Sequence, residues 1–254
     1  MIRPYILAET NWKNVQETQF QVAVLPWGAT EAHNYHLPYA TDNYQCDAVA
    51  AESAKLAWEK GAKVIVLPTV PFGVNTGQLD IPLCMNLNPS TQSAILKDLA
   101  DVVLRAGIHK LVIFNGHGGN QFKQQVRELG YQYPELLVCC MDWYKAADWS
   151  MFFAEPGDHA GEMETSMMQL IAPDLVLPLS EAGNGFAKKS KLKAIQAGWA
   201  YAERRWTQVT ADTGVGNPAL SSPEKAQKYL AAVAQNISQF FIELAELDVK
   251  NMYE

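Results

Sequence analysis

Cysteine is scarce in this 254-residue chain: there are four, Cys46, Cys84 and the adjacent Cys139-Cys140, set in apolar or helical surroundings without a C-x-x-C spacing. This excludes a disulfide framework and points to a reducing compartment, which we take to be the cytoplasm. Long apolar runs are also missing. Nowhere do the roughly eighteen uncharged apolar residues of a spanning helix follow one another, and Met1-Ile2-Arg3-Pro4-Tyr5 lacks the continuous apolar stretch of a secretory signal. No membrane partner is expected. Basic clusters are equally poor: 20 Lys and Arg stand against 27 Asp and Glu, a net charge of −7, and the richest basic stretch is the modest Lys188-Lys189-Ser190-Lys191-Leu192-Lys193. Nucleic acid is therefore not an expected partner.

What the chain does have is enough apolar material, 48% of its residues, to bury one large core, and we expect a single domain over residues 1–254. Apolar runs of strand length alternate with helical patterns, the arrangement of an α/β fold with a mainly parallel sheet and crossover helices. The expected strands are Val22–Pro26, Val64–Leu67, Leu111–Phe114 and Leu136–Met141. Helices are expected over Asn43–Lys60, ending at Gly61, and over Ser90–Arg105, opened by Pro89-Ser90-Thr91 and stopped at Gly107. A third begins near Asn120 or Gln121. A strongly periodic final helix starts at Ser222-Pro223-Glu224 and runs through the apolar residues Tyr229, Ala232, Val233, Ile237, Phe240, Phe241 and Leu244. Leu179–Asn217 is broken by glycines and gives no clear pattern.

Chemistry gathers around histidine, of which there are five. His33 and His36 lie in Glu31-Ala32-His33-Asn34-Tyr35-His36-Leu37-Pro38, closed by Thr41-Asp42 and hung directly off the first strand. Carboxylates and an imidazole placed there call for a cation, because an unpaired buried charge costs several kcal/mol on the order expected for desolvated ions. Mixed oxygen and nitrogen donors suit zinc, manganese or iron. Asp42, at the start of the following helix, is placed to bridge two metals. It is equally placed to cap that helix, as is Thr41.

His117 lies in Asn115-Gly116-His117-Gly118-Gly119-Asn120, between a strand and a helix. Its glycines let the backbone turn sharply and approach a ligand, although a tight turn with a surface imidazole reads the same way. The loop lacks the Lys-Ser/Thr ending of a P-loop. His159 opens His159-Ala160-Gly161-Glu162-Met163-Glu164-Thr165-Ser166. A helix from about Gly161 to Ile171 places Glu164 on the apolar stripe with Met167, Met168 and Ile171. Glu162 falls with Thr165, Ser166 and Gln169 on a polar face, where a first-turn carboxylate favours the helix dipole.

Glu31-x-His33-x-x-His36-Leu37-Pro38-x-x-Thr41-Asp42, the Asn115-Gly116-His117 loop, His159-Ala160-Gly161-x-x-Glu164-Thr165-Ser166 and the later Gly214-Val215-Gly216-Asn217-Pro218 together resemble the creatininase (creatinine amidohydrolase) family, from about residue 20 to about 235. The resemblance implies a three-layer α/β/α sandwich, commonly a homohexamer, with a binuclear metal centre that hydrolyses a carbon–nitrogen bond. It assigns Glu31, His33, Asp42 and His117 as metal ligands, Asp42 as the bridge, and His159 as the group that transfers a proton at the substrate. Glu164 matches an acidic position of the motif.

Three departures from that family matter. Creatininase has a metal-binding glutamate two residues after the loop histidine, where this chain has Gly119; Glu164 is the candidate replacement. Many relatives carry Glu-His where this chain has Gly77-Gln78. The substrate-side tryptophan four residues before His159 is replaced by Glu155, while Trp143 matches another tryptophan of the pocket. Asn75, Gln78 and Trp143 are the expected substrate-binding residues.

The expected function is a metal-dependent amidohydrolase, with two divalent ions, that cleaves a C–N bond of a small cyclic amide or formamide-type substrate through a metal-activated water. The departures argue against creatinine itself. Two other readings are a non-catalytic or regulatory metal-binding protein of the same fold, and a phosphohydrolase, the latter disfavoured because no Arg/Lys cluster adjoins any motif.

Overall fold

In the computed structural model, residues 2–155 and 157–253 are described, and their centre is a parallel sheet of four strands: β1 (Val22–Trp27), β2 (Val64–Val66), β3 (Lys110–Asn115) and β4 (Leu137–Asp142). The spatial order is β2-β1-β3-β4, all neighbours parallel, with Ala23 opposite both Ile65 and Leu111. All four expected strands are present within a residue or two at each end.

The helices are α1 (Trp12–Glu17), α2 (Thr41–Glu59), α3 (Pro89–Arg105), α4 (Lys123–Gln132), α5 (Glu162–Ile171), α6 (Lys193–Gln196), α7 (Trp206–Val209) and α8 (Pro223–Glu246). Because side chains alternate across a strand, each strand feeds two cores. Val22, Val24, Val64, Val66, Val112 and Phe114 pack with Val49 and Ala50 of α2, Met167 of α5 and Tyr229, Val233, Ile237 and Phe241 of α8. Ala23, Leu25, Trp27, Ile65, Leu111 and Ile113 face the other way, onto Leu96, Ala100 and Val103 of α3 and Leu129 of α4. The result is the expected three-layer α/β/α sandwich. No helix among the described residues is long and apolar enough to cross a membrane.

Helix starts differ from the sequence expectation in two instructive places. α2 begins at Thr41 with Ala40 before it, so Asp42 lies inside the first turn and caps nothing; the Thr41 hydroxyl donates to the Pro38 carbonyl instead. α4 begins at Lys123, later than expected, because the loop before it is held by side chains. Asn115 donates to the His117 carbonyl and to Asp142, and accepts the His117 N–H, while Asn120 accepts from Val74 N–H and Gln92. Leu179–Asn217 contains α6, α7 and short turns.

Parallel strands all run the same way, so the loops leaving Trp27, Asn115 and Asp142 gather outside one edge of the sheet. Sites in open α/β sheets form there.

Candidate metal centre

The segment leaving β1 folds back so that Glu31 N–H donates to the Tyr39 carbonyl, and it delivers Glu31 to the wall of a cavity with His33 buried beside it. α2 supplies Asp42, the loop after β3 supplies His117, and the segment entering α5 supplies His159 and Glu164. All five of Glu31, His33, Asp42, His117 and His159 are buried, and Glu164 is nearly so. Asp42 is at the centre. Its Oδ1 lies 3.0 Å from His33 Nε2 and its Oδ2 lies 3.1 Å from His117 Nδ1, which is in turn 2.9 Å from Glu31 Oε1. Glu164 Oε2 and His159 Nδ1 stand slightly further out, 4.0 Å from His33 Nε2 and 3.7 Å from Glu31 Oε1 respectively.

Among the described residues, three sets of donor atoms lie within 4.8 Å of one another: Glu31, Asp42 and His117; His33, Asp42 and Glu164; and Glu31, His33 and His159. The first two share Asp42, the geometry a bridging carboxylate requires.

The donor set fits metal ions on a second observation. Each histidine has one ring nitrogen committed to a backbone carbonyl, which only accepts: His33 Nδ1 to Glu31 at 3.1 Å, His117 Nε2 to Val74 at 3.1 Å, and His159 Nε2 to Ala32 at 2.8 Å. Those nitrogens therefore carry the proton in the neutral ring, leaving the opposite lone pairs aimed at the carboxylates. Carbonyl-oriented imidazoles are the usual support of metal-ligating histidine. Asp42 Oδ2, moreover, is buried without a hydrogen-bond partner.

In the metal-free protein the cluster neutralises itself with protons. Burial alone would lower His33, but Asp42, Glu164 and Glu31 outweigh it and raise it to about 10. His117 is likewise raised well above its ordinary value, against burial, by Glu31 and Asp42. Burial would raise Asp42 and Glu31, yet the facing histidines hold both below the usual carboxylate range. Glu164 is pushed up to about 7, first by burial and then by Asp42. His159 is lowered by burial and by the His33 charge, which keeps it neutral.

Local backbone explains the fit. Ala160 adopts a left-handed φ of 51°, uncommon for a residue with a side chain, and this turns its N–H onto Glu164 Oε2 at 2.5 Å. None of Gly116, Gly118 and Gly119 has a positive φ, so their role is space rather than turning. A Cβ at Gly116 would meet Cys46 Sγ at 2.3 Å, and one at Gly119 would meet the Val74 carbonyl at 2.4 Å and His117 Nε2 at 2.5 Å. A glutamate at position 119 has no room in this backbone. Glu164 joins the cluster with His33 and Asp42.

Other expectations are corrected. Glu162, expected on a polar face as a first-turn carboxylate, is fully buried: its Oε2 accepts N–H groups of Ala154 and Glu155, and its Oε1 pairs with Lys225 of α8 at 2.5 Å. The helical wheel placed it on the face away from Glu164, but α8 covers that face. None of the three expected substrate-binding residues lines the cavity. Trp143 is packed in the core against Tyr144 and Tyr229, Asn75 donates to the Met85 carbonyl, and the Gln78 amide donates to Glu31 Oε2. His36 turns away from the cluster to Thr165 Oγ1 at 2.9 Å, and burial lowers it to about 4.

The cavity above the cluster has a volume of about 500 Å³, and its outer wall includes Tyr144, Lys145, Trp149, Glu155, Asp158 and Met163. Trp206, which the sequence pattern did not single out, meets the His159 ring edge-on at 4.8 Å. It reaches that place because the Arg204 carbonyl passes Gly77, where an added Cβ would lie 2.0 Å from it. Gly77 and Trp206 are thus spatially linked, a signal no single motif contained.

A sequence model of the creatininase family, described as creatinine amidohydrolase, matches residues 8–241. A solved structure from Bacteroides fragilis NCTC 9343, provisionally named a creatinine amidohydrolase, is similar over 100% of both chains, with 38% identity and a TM-score of 0.93. The creatinine amidohydrolase of Pseudomonas putida is 26% identical over 200 residues, 69% of this chain and 75% of that protein. The mycofactocin precursor peptide peptidase of Mycobacterium tuberculosis (strain CDC 1551 / Oshkosh) is 25% identical over 224 residues, 84% of this chain and 81% of that protein.

Proposed function

The chain belongs to the creatininase family, and we propose that it is a metal-dependent amidohydrolase in which Glu31, His33, Asp42, His117 and Glu164 would hold two divalent ions, with Asp42 common to both. The observation that carries this reading is the pair of donor sets, Glu31-Asp42-His117 and His33-Asp42-Glu164, that share one carboxylate. When bound, such ions supply Lewis-acid activation of water and of the scissile carbonyl. Zinc, manganese and iron all suit this mixture of imidazole and carboxylate.

The protein's own part is orientation and proton handling. Glu31, His33, Asp42, His117 and Glu164 hold the charge in a buried site where electrostatic interactions are strong. His159, neutral and with Nδ1 free on the cluster side, accepts a proton there and passes it to the leaving nitrogen. Trp206 and His33 flank its ring and fix its plane.

The substrate in this reading is a small cyclic amide or formamide-type compound. A second reading, hydrolysis of an amide within a peptide, is favoured by the cavity, whose volume of about 500 Å³ is that of a site for larger ligands, and by the name of the mycobacterial relative. The test is hydrolysis by zinc- and manganese-loaded protein across cyclic amides, formamides and short peptides, with chelated protein as control. Metal-dependent turnover of one group is expected. Fully loaded protein that turns over none of them would overturn the enzymatic reading in favour of a metal-binding protein without catalysis.

A further inference from the structure

The outer oxygen of Glu31 is not left to the solvent or to the metal side of the site. It accepts the Gln78 amide, whose Oε1 accepts the Cys84 thiol at 3.3 Å. Cys84 Sγ also accepts the Ala32 N–H at 3.3 Å, and the Ala32 carbonyl accepts His159 Nε2–H at 2.8 Å. These contacts run Glu31, Gln78, Cys84, Ala32, His159 through residues that are all buried. The direction of each link is fixed chemically. A carboxylate only accepts, so the Gln78 nitrogen must face Glu31 and its oxygen must face the thiol; a carbonyl only accepts, so His159 must donate from Nε2.

We infer that Gln78 and Cys84 are positioning residues that hold Glu31 Oε1 and the His159 Nδ1 lone pair toward the metal centre. This rests on the reading of the cluster as that centre. Glu31 Oε1 is the atom 2.9 Å from His117 Nδ1 and 3.7 Å from His159 Nδ1, so rotating the carboxylate would remove a donor from two of the three donor sets at once. Gln78 prevents that rotation by occupying Oε2. Cys84 prevents the opposite error, an amide flip that would set the Gln78 oxygen against a carboxylate. Neither residue lines the cavity, so neither touches substrate. A thiol suits the place because its sulfur accepts one N–H while its proton is donated onward.

The test uses the full chain and the metal ions alone. Calorimetric titration of chelator-stripped protein with Mn²⁺ and with Zn²⁺ is compared for wild type, Gln78→Met, Cys84→Ala and Cys84→Ser, with folding checked by circular dichroism. Losing an orienting partner of a metal ligand lowers affinity about 10- to 100-fold, and that loss is expected for Gln78→Met, with a smaller one for Cys84→Ala. Cys84→Ser, whose hydroxyl both donates and accepts, is expected to restore binding. Nitrogen-15 spectra of the metal-free protein add a readout that packing alone would not move: wild type and Cys84→Ser keep the Nε2–H tautomer of His159, whereas Cys84→Ala mixes tautomers. Folded Gln78→Met and Cys84→Ala proteins with wild-type affinity would overturn the inference and leave the metal centre intact. A wild type that binds neither ion would overturn the metal centre and the inference together.

Discussion

Asp42 Oδ2 lies 3.1 Å from His117 Nδ1 in a fully buried setting. A buried carboxylate without a counter-charge costs free energy. Beside it the other Asp42 oxygen faces His33 Nε2, and both histidines are turned by backbone carbonyls so that these nitrogens point inward. This central place between two inward-facing histidines is what motivates the proposed bridging role of Asp42.

Asp42→Ala removes the atom pair common to both donor sets, and the expected result is loss of both ions. Glu164→Gln touches only the set with His33, so one ion is expected to remain on Glu31, Asp42 and His117. Metal content by inductively coupled plasma analysis after dialysis separates the two outcomes. Full metal stoichiometry in Asp42→Ala would remove the bridge.

Acid competes with metal at this site. His33 is raised from 6.5 to about 10 by its carboxylates against burial, and Glu164 is raised to about 7, so near neutral pH both are wholly or partly protonated in the metal-free protein. Metal must displace those protons. Affinity is therefore expected to rise as pH increases from 6 toward 9, with protons released, measurable by titration calorimetry in buffers of different ionisation enthalpy. The metal-free stability runs the opposite way. The contribution of charged His33 is complete below its unfolded pKa of 6.5 and is lost as pH rises through about 10, so melting of chelated protein is expected to shift downward across that window. A constant melting temperature from pH 6.5 to 10 would contradict it.

Replacing Gly119 does not repair the family's missing ligand. Even Gly119→Ala drives its Cβ against the Val74 carbonyl and His117 Nε2, and such overpacking typically destabilises by about 1–3 kcal/mol. Thermal melting is expected to show that loss together with weaker metal binding, because His117 is the group displaced. Gly119→Glu with unchanged stability and tighter binding would show that the loop is free to re-form.

Lys225→Met leaves Glu162 buried and unpaired while two backbone N–H groups still rely on it. Fully buried pairs lose more, but the lysine is 35% exposed, so we expect destabilisation of about 2 kcal/mol. Glu162→Gln, which keeps hydrogen-bonding capacity, is expected to cost less. Denaturant melts of both variants decide the order.

Much of the architecture was legible because it depends on short periods. The strand alternation of Val22–Trp27 and the helical stripes of α5 and α8 state which side chains share a face, and only β1 and β3 with their neighbours could bury runs so apolar. The residues that cluster were legible for a related reason: Glu31, His33, Asp42, His117 and Glu164 sit near element ends whose positions follow from the pattern. Glu162 was misread because a helical wheel names faces without naming neighbours, and the Lys225 that compensates it lies 63 positions away. Trp206 and Arg204 fell in the stretch broken by glycines, where no period exists to read.

By itself the sequence determined the order of strands and helices, the polar residues that leave the strand ends, and the absence of cysteine frameworks and spanning segments. All of these are local properties of composition and spacing. Only the tertiary structure decided which nitrogen of each histidine faces inward, that Gln78 and Cys84 are hydrogen-bonded behind Glu31 rather than lining the cavity, and that Gly77 makes room for the chain that sets Trp206 on His159. Those are matters of direction and contact between distant segments. They are fixed by hydrogen-bond geometry and excluded volume, which act only once the chain has closed on itself.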